Sequence, residues 1–198
     1  MPQERAVNTK AQLVAAATTL FRTDGYAATS IDDVCDAAGV KKGAFFYHFP
    51  NKEQLALECI RHWREATVRG LDDAVRPKRD PVARLRAALD WFVASVSRPG
   101  AVRSCLLGTT LQEVAESNEA IRAAAGGCLL EGAGFVAGLV AEAAAKTGTK
   151  ADAEALGRLW MATLQGALIL FKGSRDDRVV PESLSLVRGM ILRAVAGE

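Results

Sequence analysis

The chain has 198 residues, a formal net charge of +2, 49% apolar residues and 24% charged residues. This composition supports a buried core and excludes a disordered chain, while the small net charge neither requires nor excludes a nucleic-acid partner. Four cysteines without a C-x-x-C pair or metal-ligand spacing argue against a disulfide scaffold or zinc site, and predict reduced thiols in a cytoplasm. The polar first ten residues predict no secretory signal, and the most apolar run, 159–171, is too short to cross a bilayer.

Apolar residues recur at helical spacing along nearly the whole chain, so we predict an all-α fold. The first predicted helix carries Leu13, Ala17 and Phe21 on one face, and Gly25 follows as its left-handed stop. Further along, Pro50 predicts a helix end, whereas Pro81 suits the first turn of a new helix. The predicted helices are 8–22, 31–38, 41–47, 52–71, 81–97, 103–115, 118–146, 151–172 and 181–195.

The second and third predicted helices are short and are joined by a turn that contains Gly39. This arrangement is typical of a helix-turn-helix, whose second helix enters the DNA major groove, although ordinary helix packing also produces it. Cations and aromatic side chains crowd the third helix, and such a surface is useful against phosphates and base edges. Residues 1–60 hold six Lys and Arg against seven Asp and Glu, so any DNA-binding face is local.

The motifs in this region resemble the signature of TetR-family repressors. The chain reads TSIDDV at 29–34 and AAGVKKGAFFYHFPNKE at 37–53, where the family pattern is T-x-x-x-I-A, then A-G-V-S-K-G-T-L-Y-x-Y-F and x-x-K-E-x-L. The resemblance is strong over residues 8–60 and extends beyond them only in helix count and length. Ala44 and Phe46 replace the usual Thr and Tyr hydroxyls, so Phe46 is left to pack on a thymine methyl or the sugar backbone.

The resemblance and the residue types together predict the DNA contacts. Lys52 is expected to reach a phosphate, and small side chains on the third helix allow its backbone to approach the groove. The predicted DNA-binding residues are Lys41, Lys42, Gly43, Ala44, Phe46, Tyr47, His48 and Lys52.

The resemblance implies a helix-turn-helix DNA-binding domain at residues 1–53 and a helical ligand-binding and dimerisation domain at 54–198. It also implies a homodimer through the last two helices. Those two predicted helices carry more apolar residues than one bundle needs, which agrees with an interface, although the same residues could fill the monomer core. The implied function is a transcriptional regulator, a repressor that a small molecule or a modified cysteine releases from its operator.

Cys105 is a candidate sensor because it lies at the start of the sixth predicted helix beside Arg103. A helix N-terminus and a nearby cation both favour the reactive thiolate. Together with Lys172 late in the eighth helix, the arrangement resembles that of TetR relatives that respond to electrophiles or oxidants. The alternative is that Cys105 is a small buried hydrophobic residue.

A conventional effector would instead occupy a pocket lined by bulky or polar side chains, each of which could also be ordinary core packing. The candidates are Trp63, Trp91, Phe92, Gln112, Phe135, Trp160 and Gln165. A helical enzyme is the main rival class, but no paired carboxylates, catalytic triad or metal spacing is found, and we expect neither catalysis nor a cofactor. An activator, or a related fold that binds a protein partner, stays open.

Overall fold

The computed structural model describes residues 2–97 and 104–197, and this part of the chain forms nine α-helices and no strand. The predicted all-α fold is confirmed. The helices are α1 Pro2–Thr23, α2 Ile31–Ala38, α3 Lys42–His48, α4 Lys52–Val75, α5 Pro81–Ser97, α6 Leu106–Val114, α7 Glu119–Thr147, α8 Ala153–Ser174 and α9 Val179–Ala196.

Side-chain and glycine caps define the ends of several helices. Ser30 accepts a hydrogen bond from the Asp33 backbone N–H at 3.1 Å, and the Asp33 carboxylate accepts one from the Ser30 N–H at 2.7 Å, which completes a capping box. Gly39 ends α2 in the left-handed conformation, at φ 66° and ψ 33°. Asp80 accepts a hydrogen bond from the Ala83 N–H at 2.9 Å and begins α5. The predicted bounds of α2 and α5 are confirmed.

Three helices depart from the predicted bounds by three residues or more at one end. α1 begins at Pro2, because polar residues extend a helix without adding to the apolar stripe from which its start was predicted. α4 continues past Leu71 to Val75, which lies one turn further along the same buried face. α6 begins at Leu106, so Cys105 is its N-cap residue. The predicted terminator at 98–100 and Arg103 lie outside the described residues.

The described residues pack as two units. Unit 1 comprises residues up to 65 together with 104–127, and unit 2 comprises 66–97 together with 128–197. In unit 1, α1 packs against α2, α3 and α6. Its fully buried side chains include Leu13, Phe21, Val34, Phe45 and Leu55. The predicted boundary between the DNA-binding domain and the ligand-binding domain, after residue 53, differs from this division into two units and stays a prediction.

In unit 2, α9 packs against both α5 and α8. Trp160 of α8 is fully buried, with its ring centroid 5.9 Å from that of Phe92 on α5. Gly157 lets α7 and α8 come together, because a Cβ there would collide with the Ala133 carbonyl oxygen. Unit 2 is therefore a tightly packed helical bundle with an aromatic centre.

Among the described helices, α7 is long and apolar enough to cross a membrane, judged by length and composition alone. The sequence prediction considered only residues 159–171 as a span and did not find this one. Core helices of water-soluble proteins meet the same criterion. Alanine and glycine dominate α7, and Val136, Ala137 and Val140 on its inner face are buried inside the protein.

Candidate nucleic-acid interface

α3 presents one buried and one exposed aromatic face. Phe45 is fully buried and packs against Phe49, with the two ring centroids 5.9 Å apart, which anchors the short helix. On the opposite side, Phe46 is 51% exposed and Tyr47 is 78% exposed. Gly43 adds to this surface, since a Cβ there would meet no atom within 4 Å. Two exposed aromatic residues beside open backbone form a surface that suits a partner.

Two lysines lie at the beginning of α3. Lys41 is its exposed N-cap residue, and Lys42 pairs with Asp32 of α2 through an Nζ–Oδ1 distance of 2.8 Å. The hydrogen bond with Asp32 raises the pKa of Lys42, so the ammonium is protonated at neutral pH. Water and salt screen such an exposed pair, so Lys42 exchanges readily from Asp32 to another anion.

Lys52 of α4 faces the turn that precedes α2. Its Nζ donates to the carbonyl oxygens of Tyr26 and Thr29, both at 2.9 Å, and lies 4.4 Å from the centre of the Tyr26 ring. Burial lowers the pKa of Lys52, and the charge of Glu113 acts in the opposite direction. These bonds give Lys52 a positioning role for the turn. The phosphate contact predicted for it stays a prediction.

Glu113 of α6 binds a backbone N–H group of the same turn. Its carboxylate accepts a hydrogen bond from the Ala27 N–H at 2.6 Å, and a Cβ on Gly25 would collide with it. Gly25 has φ 100°, a conformation that favours glycine, and a larger residue there would also displace the Glu113 carboxylate. The sequence predicted Gly25 only as a helix stop and did not indicate Glu113, which is 86 residues from Ala27.

Two family profiles match the chain over the regions just described. Residues 13–59 match the profile of bacterial regulatory proteins of the tetR family, and residues 81–186 match that of a tetracyclin repressor-like C-terminal domain. The second match alone covers more than half of the chain. The chain belongs to the TetR family.

Individual proteins support this TetR-family membership. Transcriptional regulator AcuR of Cereibacter sphaeroides is 31% identical over 151 residues, which are 75% of this chain and 69% of AcuR. HTH-type transcriptional regulator LmrA of Bacillus subtilis is 28% identical over 118 residues, and the match spans only 63% of LmrA. The crystal structure of a TetR transcriptional regulator from Chloroflexus aurantiacus matches with a TM-score of 0.82 at 27% identity, covering 95% of this chain and 96% of that one.

In this TetR-family chain, Cys105 is half-buried at the N-cap of α6. Arg22 of α1 interacts with it through charge: burial lowers the pKa of Arg22, and the charge of Cys105 raises it. The Arg22 Nε donates to the Ser104 carbonyl oxygen at 3.0 Å, and its guanidinium carbon lies 4.8 Å from the centre of the Trp63 ring. The sequence did not indicate Arg22, which precedes Ser104 by 82 residues.

The other effector-site candidates are divided between the two units. Unit 1 holds Trp63 and Gln112, and unit 2 holds Trp91, Phe92, Phe135, Trp160, Gln165 and Lys172. Gln112 was predicted to line a pocket, but α6 buries Leu106, Leu107, Thr110 and Val114 and leaves Gln112 exposed, so its side chain does not face the core. Lys172 is also exposed, whereas Phe92 and Trp160 are buried. The effector-binding roles stay predictions.

Proposed function

We propose that this TetR-family protein is an operator-binding repressor that uses α3 as its recognition helix. The observation that carries the proposal is the outward pair Phe46 and Tyr47, 51% and 78% exposed on a helix anchored by buried Phe45. Apolar and hydroxyl-bearing side chains at the outer face of a second, short helix suit base edges and thymine methyl groups in the major groove. The proposed contacts are Lys41, Lys42, Gly43, Ala44, Phe46, Tyr47, His48 and Lys52.

The proposed active form is a homodimer through α8 and α9. These helices pack on each other, yet they leave large apolar side chains exposed: Leu159 at 39%, Ile169 at 48%, Leu170 at 62%, Leu186 at 68% and Met190 at 46%. Exposed apolar side chains of this size favour burial against a second copy. We expect such a dimer to hold its two recognition helices about 34–36 Å apart, which matches successive major grooves.

Release from DNA is proposed to follow from an effector that binds the DNA-free conformation more tightly. Two routes stand open. A reversible small molecule occupies the helical bundle, or an electrophile modifies Cys105, the half-buried N-cap residue of α6. In either case the protein acts in the cytoplasm and through binding alone, without catalysis.

The test is binding of the purified protein to DNA upstream of its own gene, or to operators from an unbiased selection. Tyr47→Ala is expected to weaken specific binding about tenfold or more, because one good base contact is worth about 1–3 kcal/mol. Leu130→Ala is the control, since Leu130 is 71% exposed on α7, outside the proposed interface. In vitro transcription separates repression from activation. Failure of the selection to yield any specific operator overturns the proposal.

A further inference from the structure

Unit 2 buries three side-chain donors that have no hydrogen-bond partner among the described residues. They are the hydroxyl Oγ of Ser97 at the end of α5, and the indole Nε1 of Trp160 and the amide Nε2 of Gln165, both on α8. Successive helical residues turn by about 100°, so the side chains of Trp160 and Gln165 leave α8 roughly 140° apart and do not serve one acceptor atom. Trp160, which is fully buried, therefore defines a donor position of its own.

An unpaired indole N–H in the core is unusual, because most buried polar groups in native proteins find a partner. No described residue supplies one to Trp160. Among the described residues, the polar residues that are buried as a whole are Thr29, Ser104 and Thr110, and all three belong to unit 1. Within an α-helix the backbone carbonyls are already paired along the helix itself. The Trp160 N–H is therefore left without an acceptor in the part of the chain that the structure describes.

The surroundings of Trp160 select the kind of molecule that supplies this acceptor. Phe92 lies against the indole, at 5.9 Å between ring centroids, and Trp91 packs on Phe92 at 5.4 Å. Aromatic walls of this kind favour an apolar or aromatic body.

Charge in unit 2 points to a neutral molecule. Ion pairs join Arg84 to Glu142, Arg188 to Asp90 and Arg158 to Glu154, and each includes side chains with substantial solvent exposure. These arginines are already matched by acids at the surface. No lysine or arginine is buried among the described residues, so a carboxylate beside the buried indole would lose its hydration without gaining a cation, which is strongly unfavourable.

We propose that the effector of this protein is an uncharged, largely apolar molecule with a carbonyl, ester or ether oxygen that accepts a hydrogen bond from the Trp160 indole N–H. The site deepens the function proposed above and rests on it, since it names the chemical class of the reversible effector. Trp160 is the ligand-contacting residue, and Phe92 and Trp91 form the apolar wall beside it.

Three probes of matched size test the class: 4-phenyl-2-butanone, its hydrocarbon analogue butylbenzene, and the anion 3-phenylpropanoate. The full-length protein is labelled with ¹⁵N at its three tryptophans, and the indole N–H signals are followed during titration. We expect the ketone to shift the Trp160 signal downfield in a saturable way. Trp160→Phe, which keeps an aromatic ring and removes the N–H, is expected to weaken ketone binding about tenfold, the value of one hydrogen bond.

The controls separate hydrogen bonding from packing. Butylbenzene binding is expected to change less than threefold on Trp160→Phe, and Trp91→Phe is expected to alter ketone and hydrocarbon affinities by the same factor. 3-Phenylpropanoate is expected to bind at least tenfold more weakly than the ketone. If Trp160→Phe does not fold, Trp63→Phe and Trp91→Phe assign the wild-type indole signals by elimination. The test is then whether the ketone shifts the Trp160 signal of the wild-type protein in a saturable way.

Equal losses of ketone and hydrocarbon binding in Trp160→Phe, tighter binding of the anion, or no saturable Trp160 shift from the ketone overturns the proposed site. Operator binding measured on the same preparation without probes keeps the two proposals distinct. If operator binding is intact and the Trp160 indole signal does not respond to the ketone, only the proposed effector class is refuted. Ketone binding at Trp160 without any specific operator removes only the repressor function.

Discussion

The carboxylate of Glu113 lies so close to Gly25 that a Cβ on Gly25 would collide with it, and this contact joins α6 to the turn before α2. The same carboxylate accepts the Ala27 N–H, while the Lys52 ammonium donates to the carbonyls of Tyr26 and Thr29. The carboxylate from α6 thus binds an N–H of this turn, and the ammonium from α4 binds two of its carbonyl oxygens. The turn leads directly into the helix-turn-helix, so its conformation affects the placement of α3.

Gly25→Ala is expected to lower the free energy of unfolding by about 2 kcal/mol or more. A Cβ in the left-handed region costs about 1–2 kcal/mol, and displacement of Glu113 breaks its hydrogen bond with Ala27. Gly43→Ala is the matched control, because Gly43 is helical with open space around it, and alanine there is expected to add up to about 1 kcal/mol. Urea unfolding measures both variants. Equal stability of the two would contradict the role of Gly25.

Lys52→Met and Lys42→Met are expected to separate positioning from DNA contact. Lys52→Met leaves two carbonyls without their charged donor and is expected to lower the free energy of unfolding by about 1–2 kcal/mol. Lys42→Met is expected to leave stability nearly unchanged but to reduce the slope of log binding constant against log salt by about 0.9 for each phosphate that the protein no longer neutralises. Chemical unfolding and operator titrations over a salt series provide the readouts. If Lys42→Met lowers stability while Lys52→Met changes only the salt dependence, the two roles are the reverse of those proposed.

Local signals predicted α2 and the exposed character of α3, whereas tertiary contacts escaped prediction. Ser30, Asp33 and Gly39 cap α2 through residues adjacent in sequence, so its bounds are readable from the chain. The partnerships of Glu113 with Gly25 and of Arg22 with the Cys105 segment join residues more than 80 positions apart. Periodicity carries no information on such pairs, since it indicates which face of a helix is buried and not which distant residue lies against that face.

Acid is expected to weaken the link between α1 and α4 through Glu58. Hydrogen bonds from Arg61 and then Lys10 lower the pKa of Glu58 from 4.5 to about 2, against the opposing effect of burial. Because the folded-state pKa is the lower one, this stabilisation is complete above pH 4.5 and is lost as pH falls towards 2. Glu58→Gln removes the titrating group. Its unfolding free energy is expected to fall less steeply than that of the wild type over this pH range, and parallel curves would refute the assignment.

Leu186→Glu and Leu170→Glu are expected to convert the proposed dimer into monomers. Leu186 on α9 is 68% exposed and Leu170 on α8 is 62% exposed, so a carboxylate at either position is tolerated by the monomer but is costly in an apolar interface. Leu130→Glu on α7 makes the same change at a side chain that is 71% exposed and outside the proposed interface. Sedimentation equilibrium measures the mass. A dimer that survives Leu186→Glu and Leu170→Glu places the interface elsewhere.

Cys105→Ser is expected to abolish release of operator DNA by N-ethylmaleimide while leaving operator affinity within twofold of the wild type. The thiolate adds to the maleimide double bond and forms a carbon–sulfur bond, and the adjacent carbon takes a proton from water. Burial raises the pKa of Cys59 to about 12, which leaves that thiol unreactive at neutral pH, and Cys35 is likewise buried. Cys128→Ser is the matched control, since Cys128 is half-buried like Cys105.

The rate of modification tests the contribution of Arg22 to this reaction. Arg22→Gln removes the cation that interacts with Cys105 and is expected to slow maleimide addition several-fold at pH 7, because reactive cysteines lie in electropositive surroundings. Mass spectrometry of the modified peptide follows the reaction, and operator release is measured in parallel. If Cys105→Ser still releases DNA and Cys128→Ser does not, the covalent sensor is Cys128. If neither substitution changes the response, neither Cys105 nor Cys128 is the covalent sensor.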